Sequence, residues 1–172
     1  DEAARQTIDL RIANLLDAPA LGGNHLAVIL DVEGNILAAQ LHSATGNLVS
    51  LAPAGNWGSL PIIRDAVTAA GSLAATEVLP GELLAQVGLA EQARINLVET
   101  PKAASTLFDE REGTAGLALV GVTPIVAVGK VTGAAVSIHL FNNDFTLVDR
   151  IKDIAQIDTV TVFLGDLRVS TN

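Results

Sequence analysis

The chain has 172 residues, 49% of them hydrophobic and 17% charged, which is long and apolar enough for a folded core. A formal net charge of −9 disfavours binding to nucleic-acid phosphates and to anionic membranes. Aromatic residues make up only 3%. We therefore expect any contact surface to bury aliphatic side chains broadly instead of relying on aromatic anchors.

The absence of cysteine excludes disulfides, thiolate metal sites and a cysteine nucleophile. No apolar run in the sequence approaches the length of about 20 residues that a membrane-spanning helix needs, so we expect no membrane insertion. The sequence begins with Asp1 and contains no Met, so we expect Asp1 to be either a proteolytically processed end or an artificial boundary of the sequence, and not a natural start.

The first half of the chain predicts short strands separated by turns. Thr7–Ile12 alternates polar and apolar residues like a half-buried strand, although Ile8, Ile12 and Leu15 would also share one face of a helix. Gly-Asn pairs then recur at 23–24, 34–35, 46–47 and 55–56. The apolar runs between them predict an antiparallel meander with strands at Leu26–Val32, Ile36–His42 and Leu48–Ala52.

One helix is predicted after this meander. Ser59 is the expected N-cap and Pro61 the first helical residue, while Gly71 is expected to weaken or end the helix. Pro80-Gly81 indicates a turn, and Glu82–Leu89 is compatible with a short helix or a strand.

The second half predicts strands again. Alternation over Ala93–Glu99 predicts a strand that ends before Pro101, followed by a polar loop at Lys102–Gly113. Further strands are predicted at Leu117–Val122, Ile125–Val131, Ala134–Phe141, Thr159–Leu164 and Leu167–Val169, with a turn at Asn142–Asp144 and one or two helical turns over Val148–Ile154.

These elements predict a mainly β fold with one or two short helices, arranged as an antiparallel sandwich or barrel. An α+β roadblock-like or profilin-like fold is the alternative. The sequence shows no linker and no shift in composition. We therefore predict a single domain over residues 1–172, in which residues 1–16 form an arm or edge strand that contacts a neighbouring subunit.

No motif in the sequence indicates catalysis, and we predict no catalytic, cofactor-binding or metal-binding residues. His25, His42 and His139 lack the paired spacing of metal ligands. Gly129-Lys130 resembles the end of a phosphate-binding loop, but Pro124 stands where that motif requires glycine. The acidic run at Asp31–Asn35 predicts a hairpin turn instead of a calcium loop, because Ile36 occupies the position at which an EF-hand loop needs glycine. Asn142–Asp144 also offers oxygen ligands and is likewise interpreted as a turn.

The segment Val136-Ser-Ile-His-Leu-Phe-Asn-Asn-Asp-Phe-Thr146 resembles a stretch of small tailed-phage virion structural proteins. In those proteins an apolar strand ends in Leu-Phe, an Asn-Asp turn and an aromatic-Thr pair. The resemblance covers about eleven residues of the chain and implies a capsid-decoration or other virion role. Maturation proteolysis would then account for the start at Asp1.

A second resemblance is architectural. The Leu26–His42 hairpin with its Asp-Val-Glu-Gly-Asn turn, a helix within residues 60–75 and the later strands look like a roadblock or profilin-like domain. This resemblance implies a dimeric regulatory or ligand-binding domain. The second half carries more strands than that fold uses.

The function predicted first is a non-catalytic structural subunit of a large homo-oligomeric assembly, with copies of itself and another structural protein as partners. We expect a virion location, with an extracellular filament or a surface layer as the alternative. Trp57, between Gly-Asn and Gly-Ser, is interpreted either as an exposed contact or as a plug of the core. The predicted assembly contacts are Ile8, Leu10, Ile12, Trp57, Val160, Val162 and Leu164.

Overall fold

The computed structural model of the chain describes residues 23–43, 47–96 and 113–172. Its strands are β1 Leu26–Asp31, β2 Ile36–His42, β3 Leu48–Leu51, β4 Leu73–Leu79, β5 Gly116–Ala127, β6 Lys130–Leu140, β7 Thr161–Leu164 and β8 Leu167–Thr171. Its helices are α1 Pro61–Ala69, α2 Gly81–Gln86, α3 Ala90–Ala93 and α4 Thr146–Ala155. The predicted strand Thr7–Ile12, the arm at 1–16 and most of the predicted loop Lys102–Gly113 lie outside the described residues.

Six strands form one sheet in the order β3-β2-β1-β6-β5-β4, and β7 pairs with β8 in a second sheet. The pairs of β1 with β2, β1 with β6, β2 with β3 and β7 with β8 are antiparallel. The predicted mainly β class, with short helices and antiparallel pairing, is therefore confirmed.

The chain divides into two compact units. Unit 1 contains residues up to Glu77 together with Leu119–His139, and unit 2 contains Val78–Ala118 and Leu140–Asn172. Each division falls inside a strand rather than at a flexible connection. For this reason the sequence carries no linker signal at these positions.

Strand β1 is the centre of unit 1, because β2 and β6 flank it on both sides. Leu26, Ala27, Val28 and Leu30 are completely buried. Burial on both faces of a central strand explains why this segment is a continuous apolar run instead of an alternating one. The predicted strands that became β1, β2 and β3 are confirmed to within one residue at their ends.

Helix α1 covers unit 1 with an apolar face formed by Ile62, Ile63 and Ala66. Pro61 is the first helical residue, as predicted, but Leu60 and not Ser59 occupies the N-cap, without a side-chain cap. The helix ends before Gly71, because Ala70 adopts a left-handed φ of 49° and the Gly71 N–H donates to the Ala66 carbonyl.

Two predictions about unit 1 strands were wrong. Leu117–Val122 and Ile125–Val131 are not separate strands: β5 continues through Pro124, and the chain turns only at Val128-Gly129. The Ser72 hydroxyl, directly before β4, donates to Thr123 Oγ1 at 3.2 Å, so β4 begins close to Pro124. Proline has no N–H to donate and is tolerated in strands mainly where ladder pairing is interrupted or ends. Strand β4 itself was not predicted.

Unit 2 has its own small core, in which Ala115, Leu164, Leu167 and Val169 are buried. Val78, Ile95, Leu117 and Val162 pack against this cluster. The predicted strand Ala93–Glu99 is wrong over its described part, since Ala93 ends helix α3 and residues 94–96 are irregular. Helix α4 is longer than the predicted one or two turns and buries Val148.

Candidate functional site

An open groove of about 530 Å³ lies in unit 2. One side is formed by α3 and the residues that follow it, and the other by strand β8, with Asn143 and Phe145 between them. The groove is lined by Glu91, Arg94, Ile95, Asn96, Asn143, Phe145, Arg168, Val169, Ser170 and Thr171. Its volume falls within the range of about 300–1,000 Å³ that is typical of small-molecule sites.

The described residues that line the groove carry more positive than negative charge, although the whole chain has a net charge of −9. Among the described residues that line the groove, the cations are the guanidinium groups of Arg94 and Arg168, and the one carboxylate belongs to Glu91. Arg94 Nη2 lies 3.4 Å from Glu91 Oε1, but both side chains are well exposed, at 60% and 86%. Such an exposed pair has little stability of its own, so Arg94 can exchange this partner for a ligand.

Strand alternation places Arg168 at the groove. Leu167 and Val169, its neighbours in β8, are buried in the unit 2 core, so the side chain between them faces outward. Among the residues that the structure describes, no carboxylate forms an ion pair with Arg168. The guanidinium therefore faces the groove with its donors available.

Asn142 connects the backbone segments behind the groove by hydrogen bonds. Its side chain is completely buried and forms three hydrogen bonds. Asn142 Oδ1 accepts from the Leu117 N–H at 2.9 Å, while Nδ2 donates to the carbonyl oxygens of Ala93 and Ala115 at 2.7 and 3.0 Å. One amide thereby connects the end of α3 to the start of β5.

Asn143 forms further hydrogen bonds of this kind in the wall of the groove. It adopts a left-handed φ of 54°, which asparagine tolerates better than most residues. Its backbone N–H donates to the Val169 carbonyl at 2.8 Å, and its Nδ2 donates to the carbonyls of Gln92 and Arg94 at 2.8 and 2.9 Å. Arg168 is thus positioned by strand β8. Arg94 is positioned by the end of α3, which the Asn143 side-chain amide holds in place.

The hydroxyl groups near the groove are used for structure. Ser170 Oγ donates a short hydrogen bond to the Asp144 carbonyl. Thr171 Oγ1 lies 2.8 Å from Thr161 Oγ1 on the paired strand. These contacts fix β8 in place, and the groove offers guanidinium and amide donors suited to holding a ligand.

A second cavity, of about 350 Å³, is lined by Arg94 together with Pro80, Gly81, Glu82, Ala85, Ala90 and Thr114. Gly81 is required here, because a Cβ at this position would lie 2.9 Å from Thr114 Oγ1. Arg94 thus lines this cavity as well as the groove.

The predicted assembly contacts occupy several different environments. Ile8, Leu10 and Ile12 lie outside the described residues. Trp57 is completely buried within unit 1, which corrects its interpretation as an exposed contact and agrees with the alternative that it plugs the core. Leu164 is 6% exposed and belongs to the unit 2 core, so it too is buried within its own unit. Val160 and Val162 are half-buried on or beside β7, and their role as contacts stays a prediction.

The acidic turn between β1 and β2 is closed by its own hydrogen bonds. Asp31 Oδ1 accepts from the Glu33 and Asn35 N–H groups at 3.0 and 2.8 Å, and Oδ2 accepts from Asn35 Nδ2 at 2.8 Å. The Asn35 side-chain amide, as the largest cause, and these backbone donors lower the pKa of Asp31 from its ordinary value of 3.8. The carboxylate therefore caps a hairpin turn, as predicted.

Two of the recurring Gly-Asn pairs meet in space. Asn35 and Asn56 form an isolated antiparallel bridge, and Asn56 Nδ2 donates to Asn35 Oδ1 at 2.8 Å and to the Glu33 carbonyl at 3.0 Å. Gly34 has a φ of +87°, and a Cβ there would lie 2.3 Å from the Gly58 nitrogen. Glycine is needed because two backbone segments approach closely at this point.

Two of the histidine rings contact backbone carbonyls. His42 Nδ1 lies 2.9 Å from the Asn24 carbonyl, and His139 Nδ1 lies 2.8 Å from the Gly23 carbonyl. The rings of His25 and His139 are stacked at a tilt, with centroids 4.8 Å apart. His139 is buried and not at the surface.

The groove could not be predicted from the sequence. Arg94 and Arg168 are far apart in the chain, and each stands in a segment where a single cation looks like an ordinary solvent-facing residue. The one available signal was Asn142-Asn143, where two adjacent amides follow an apolar strand. The sequence predicts a turn at these two residues. The structure shows a turn whose side-chain amides also support the groove.

No family model matches the chain, and no curated protein sequence is significantly similar to it. Within the described ranges, none of the helices has the length and apolar character needed to cross a membrane.

Proposed function

We propose that the chain is a non-catalytic ligand-binding module of regulatory type, comparable to the roadblock and profilin-like domains that its element order resembles. The observation that carries this proposal is the open groove of unit 2, which has the size of a small-molecule site and is lined by cationic and amide donors. The groove is supported by secondary-structure elements and by the buried Asn142, so its shape exists before a ligand arrives.

The chemistry of the lining favours binding over catalysis. A guanidinium group stays protonated at neutral pH and therefore cannot accept a proton from a substrate. The Ser170 hydroxyl donates its proton in a hydrogen bond to the Asp144 carbonyl, so this proton does not point at a ligand in the groove. Glu91, which carries the only carboxylate in the described part of the lining, faces Arg94. These groups can orient a ligand by hydrogen bonds and charge.

The order of elements supports the regulatory class. A β-hairpin (β1–β2), a helix (α1) and later antiparallel strands (β4–β6) follow one another along the chain. This is the arrangement on which the resemblance to roadblock and profilin-like domains rests. Unit 2 contributes the additional elements in which the groove lies.

A ligand screen by NMR tests the proposal. We expect some members of a small-metabolite library to shift the backbone amide signals of Arg94, Asn143 and Ser170 in the intact chain. Asn96→Trp, which fills the groove with an exposed side chain, should abolish these shifts. Thr68→Trp adds the same indole to the exposed face of α1 and should leave them unchanged. Ligand-induced shifts that persist in Asn96→Trp, or a library without any binder in the groove, would refute the proposal.

A second proposed function is the structural subunit of a homo-oligomeric assembly, such as a virion, filament or surface layer. Its support is the number of large apolar side chains exposed on the described residues. Unit 1 exposes Val126 by 57% and Val128 by 103%, and unit 2 exposes Ile154 by 75% and Phe163 by 53%. Aliphatic surface of this kind is typical of the centre of subunit contacts.

Electron microscopy and sedimentation of the purified chain test the assembly proposal. Particles much larger than a dimer support it, particularly if deleting residues 1–12 reduces their size. A small dimer that stays unchanged after this deletion would refute the assembly proposal and agree with the regulatory domain.

A further inference from the structure

We infer that the unit 2 groove binds an organic anion, with Arg94 and Arg168 holding the anionic group and Phe145 contacting the apolar body of the ligand. This inference rests on the proposed ligand-binding function and specifies the chemical class of its ligand.

The two guanidinium groups provide the selectivity for charge. They come from different elements, the residue after α3 and strand β8, and line the same groove. Guanidinium donors pair with planar or tetrahedral oxyanions through two parallel hydrogen bonds, and these charge-assisted bonds are stronger than neutral ones. Glu91, the single carboxylate among the described lining residues, is 86% exposed and can turn into solvent when an anion arrives.

The charge of the rest of the molecule makes this groove distinctive. A chain with a net charge of −9 repels anions on average. Arg94 and Arg168 make the described lining of this concave site locally positive, which attracts an anion to it. The net negative charge of the chain disfavours large polyanions, whose charges would extend beyond the groove. We therefore expect a small ligand.

The apolar lining argues for an organic anion instead of an inorganic one. Phe145 is 49% exposed where it borders the groove, and Ile95 is half-buried beside it. An exposed aromatic ring next to two cations can pack against a hydrocarbon body while the guanidinium groups hold its charged end. Inorganic phosphate could use only the cations.

A matched pair of probes tests the inference on the intact chain. Benzoate and benzamide have the same shape and differ mainly in charge, and NMR titration at constant ionic strength compares them directly. We expect benzoate to shift the amide signals of Arg94 and Arg168 with a dissociation constant on the order of 1 mM, as is usual for a fragment. Benzamide and inorganic phosphate should each bind at least about ten times more weakly.

Variants localise the effect. Arg94→Gln and Arg168→Gln should each weaken benzoate binding by about tenfold, whereas Arg64→Gln, on the exposed face of α1, removes the same charge and should change it less than twofold. Equal binding of benzamide and benzoate in the groove would overturn the anion inference but leave the ligand-binding proposal intact. Benzoate binding that survives both groove substitutions would place it elsewhere and also overturn the inference. If neither the probes nor any member of the metabolite library binds in the groove, the anion inference and the ligand-binding proposal are both refuted.

Discussion

At the scale of single residues, Asn142 in unit 2 tolerates few alternatives. Its amide uses both ends, with Oδ1 accepting from Leu117 and Nδ2 donating to Ala93 and Ala115, in a completely buried site. Of the standard side chains, only asparagine combines one acceptor and two donors in this size. The geometry of the groove therefore depends on one amide.

Asn142→Asp tests this dependence. The substitution keeps the shape but replaces the two donors with a second oxygen, which faces the carbonyls of Ala93 and Ala115 and buries a charge. We expect a loss of about 3 kcal/mol or more in the free energy of unfolding, measured by urea denaturation. Asn143→Asp, at an exposed site, should cost only about 1 kcal/mol. Equal losses in the two variants would contradict the special role of Asn142.

Asp31 makes a prediction about pH. Since its folded-state pKa is lowered, the ionised carboxylate stabilises the folded chain above the ordinary pKa of 3.8, and this contribution is lost as the pH falls through the lowered value. Asp31→Asn should therefore be less stable than the natural chain near neutral pH, and the difference should shrink as the pH falls to about 2. Urea denaturation over this pH range measures it. A difference that stays constant with pH would show that the carboxylate charge is not responsible.

The residue scale also shows what local sequence can predict. The turn roles of Asp31-Val-Glu-Gly-Asn35 and of Asn142-Asn143 follow from local chemistry, and both segments form turns. The meeting of Asn35 with Asn56, and of Arg94 with Arg168, depends on strand placement and could not be derived from spacing. Local hydrogen bonding is encoded in neighbouring residues, whereas a groove is produced by the whole fold.

At the scale of elements, the β5–β6 hairpin contains an unfavourable turn. Val128 has φ 51° and Gly129 has φ 73°, so both central residues have the positive φ of a type I′ turn. Valine is β-branched and rarely adopts positive φ, and asparagine is the preferred residue at this position. Val128 is also fully exposed. Packing within the unit therefore does not compensate for this strain.

Replacing Val128 should consequently stabilise the chain. We expect Val128→Asn to raise the free energy of unfolding by about 1 kcal/mol and the melting temperature by about 2–4 °C, measured by thermal denaturation. Val128→Thr is the matched control, because it removes apolar surface but keeps the β-branch, and it should give little gain. A similar gain from threonine would show that exposed apolar surface, and not φ, is the cause.

Substitutions at two glycines allow the cost of backbone strain to be measured separately from the cost of steric contact. Gly34 and Gly129 both have positive φ, but a Cβ at Gly34 meets the Gly58 backbone, whereas nothing lies within 4 Å of a Cβ at Gly129. Gly129→Ala should therefore cost about 1 kcal/mol, and Gly34→Ala at least about 2 kcal/mol, in urea denaturation. Equal costs would mean that the close approach of the two segments relaxes freely.

The elements that the sequence analysis missed have specific physical causes. Strand β4, Leu-Ala-Ala-Thr-Glu-Val-Leu, contains residues that favour helices, and its strand conformation is imposed by pairing with β5. Ala93–Glu99 alternates like a strand, but the amides of Asn142 and Asn143 bind the carbonyls of Gln92, Ala93 and Arg94. Long-range pairing overrides local pattern in both segments.

At the scale of the whole chain, hydrophobic surface and net charge have opposite effects on self-association. The mean hydropathy is +0.45 and the described surface exposes several large aliphatic side chains, which favours association. The net charge of −9 opposes association by mutual repulsion between copies. The balance between these effects decides whether the chain behaves as a small regulatory module or as an assembling subunit.

Ionic strength shifts this balance in a direction that can be measured. Charge repulsion reaches about 30 Å at 0.01 M salt and only about 8 Å at 0.15 M, while burial of aliphatic surface is not screened. If aliphatic contacts hold copies together, the sedimentation coefficient should rise with salt and also as the pH falls towards the sequence pI of about 4.6. Ile154→Ser should weaken this rise, because Ile154 is 75% exposed, and Thr68→Ser should not. Dissociation on adding salt would indicate an ionic interface, and a constant monomer at every salt concentration would leave the aliphatic surface without a role in self-association.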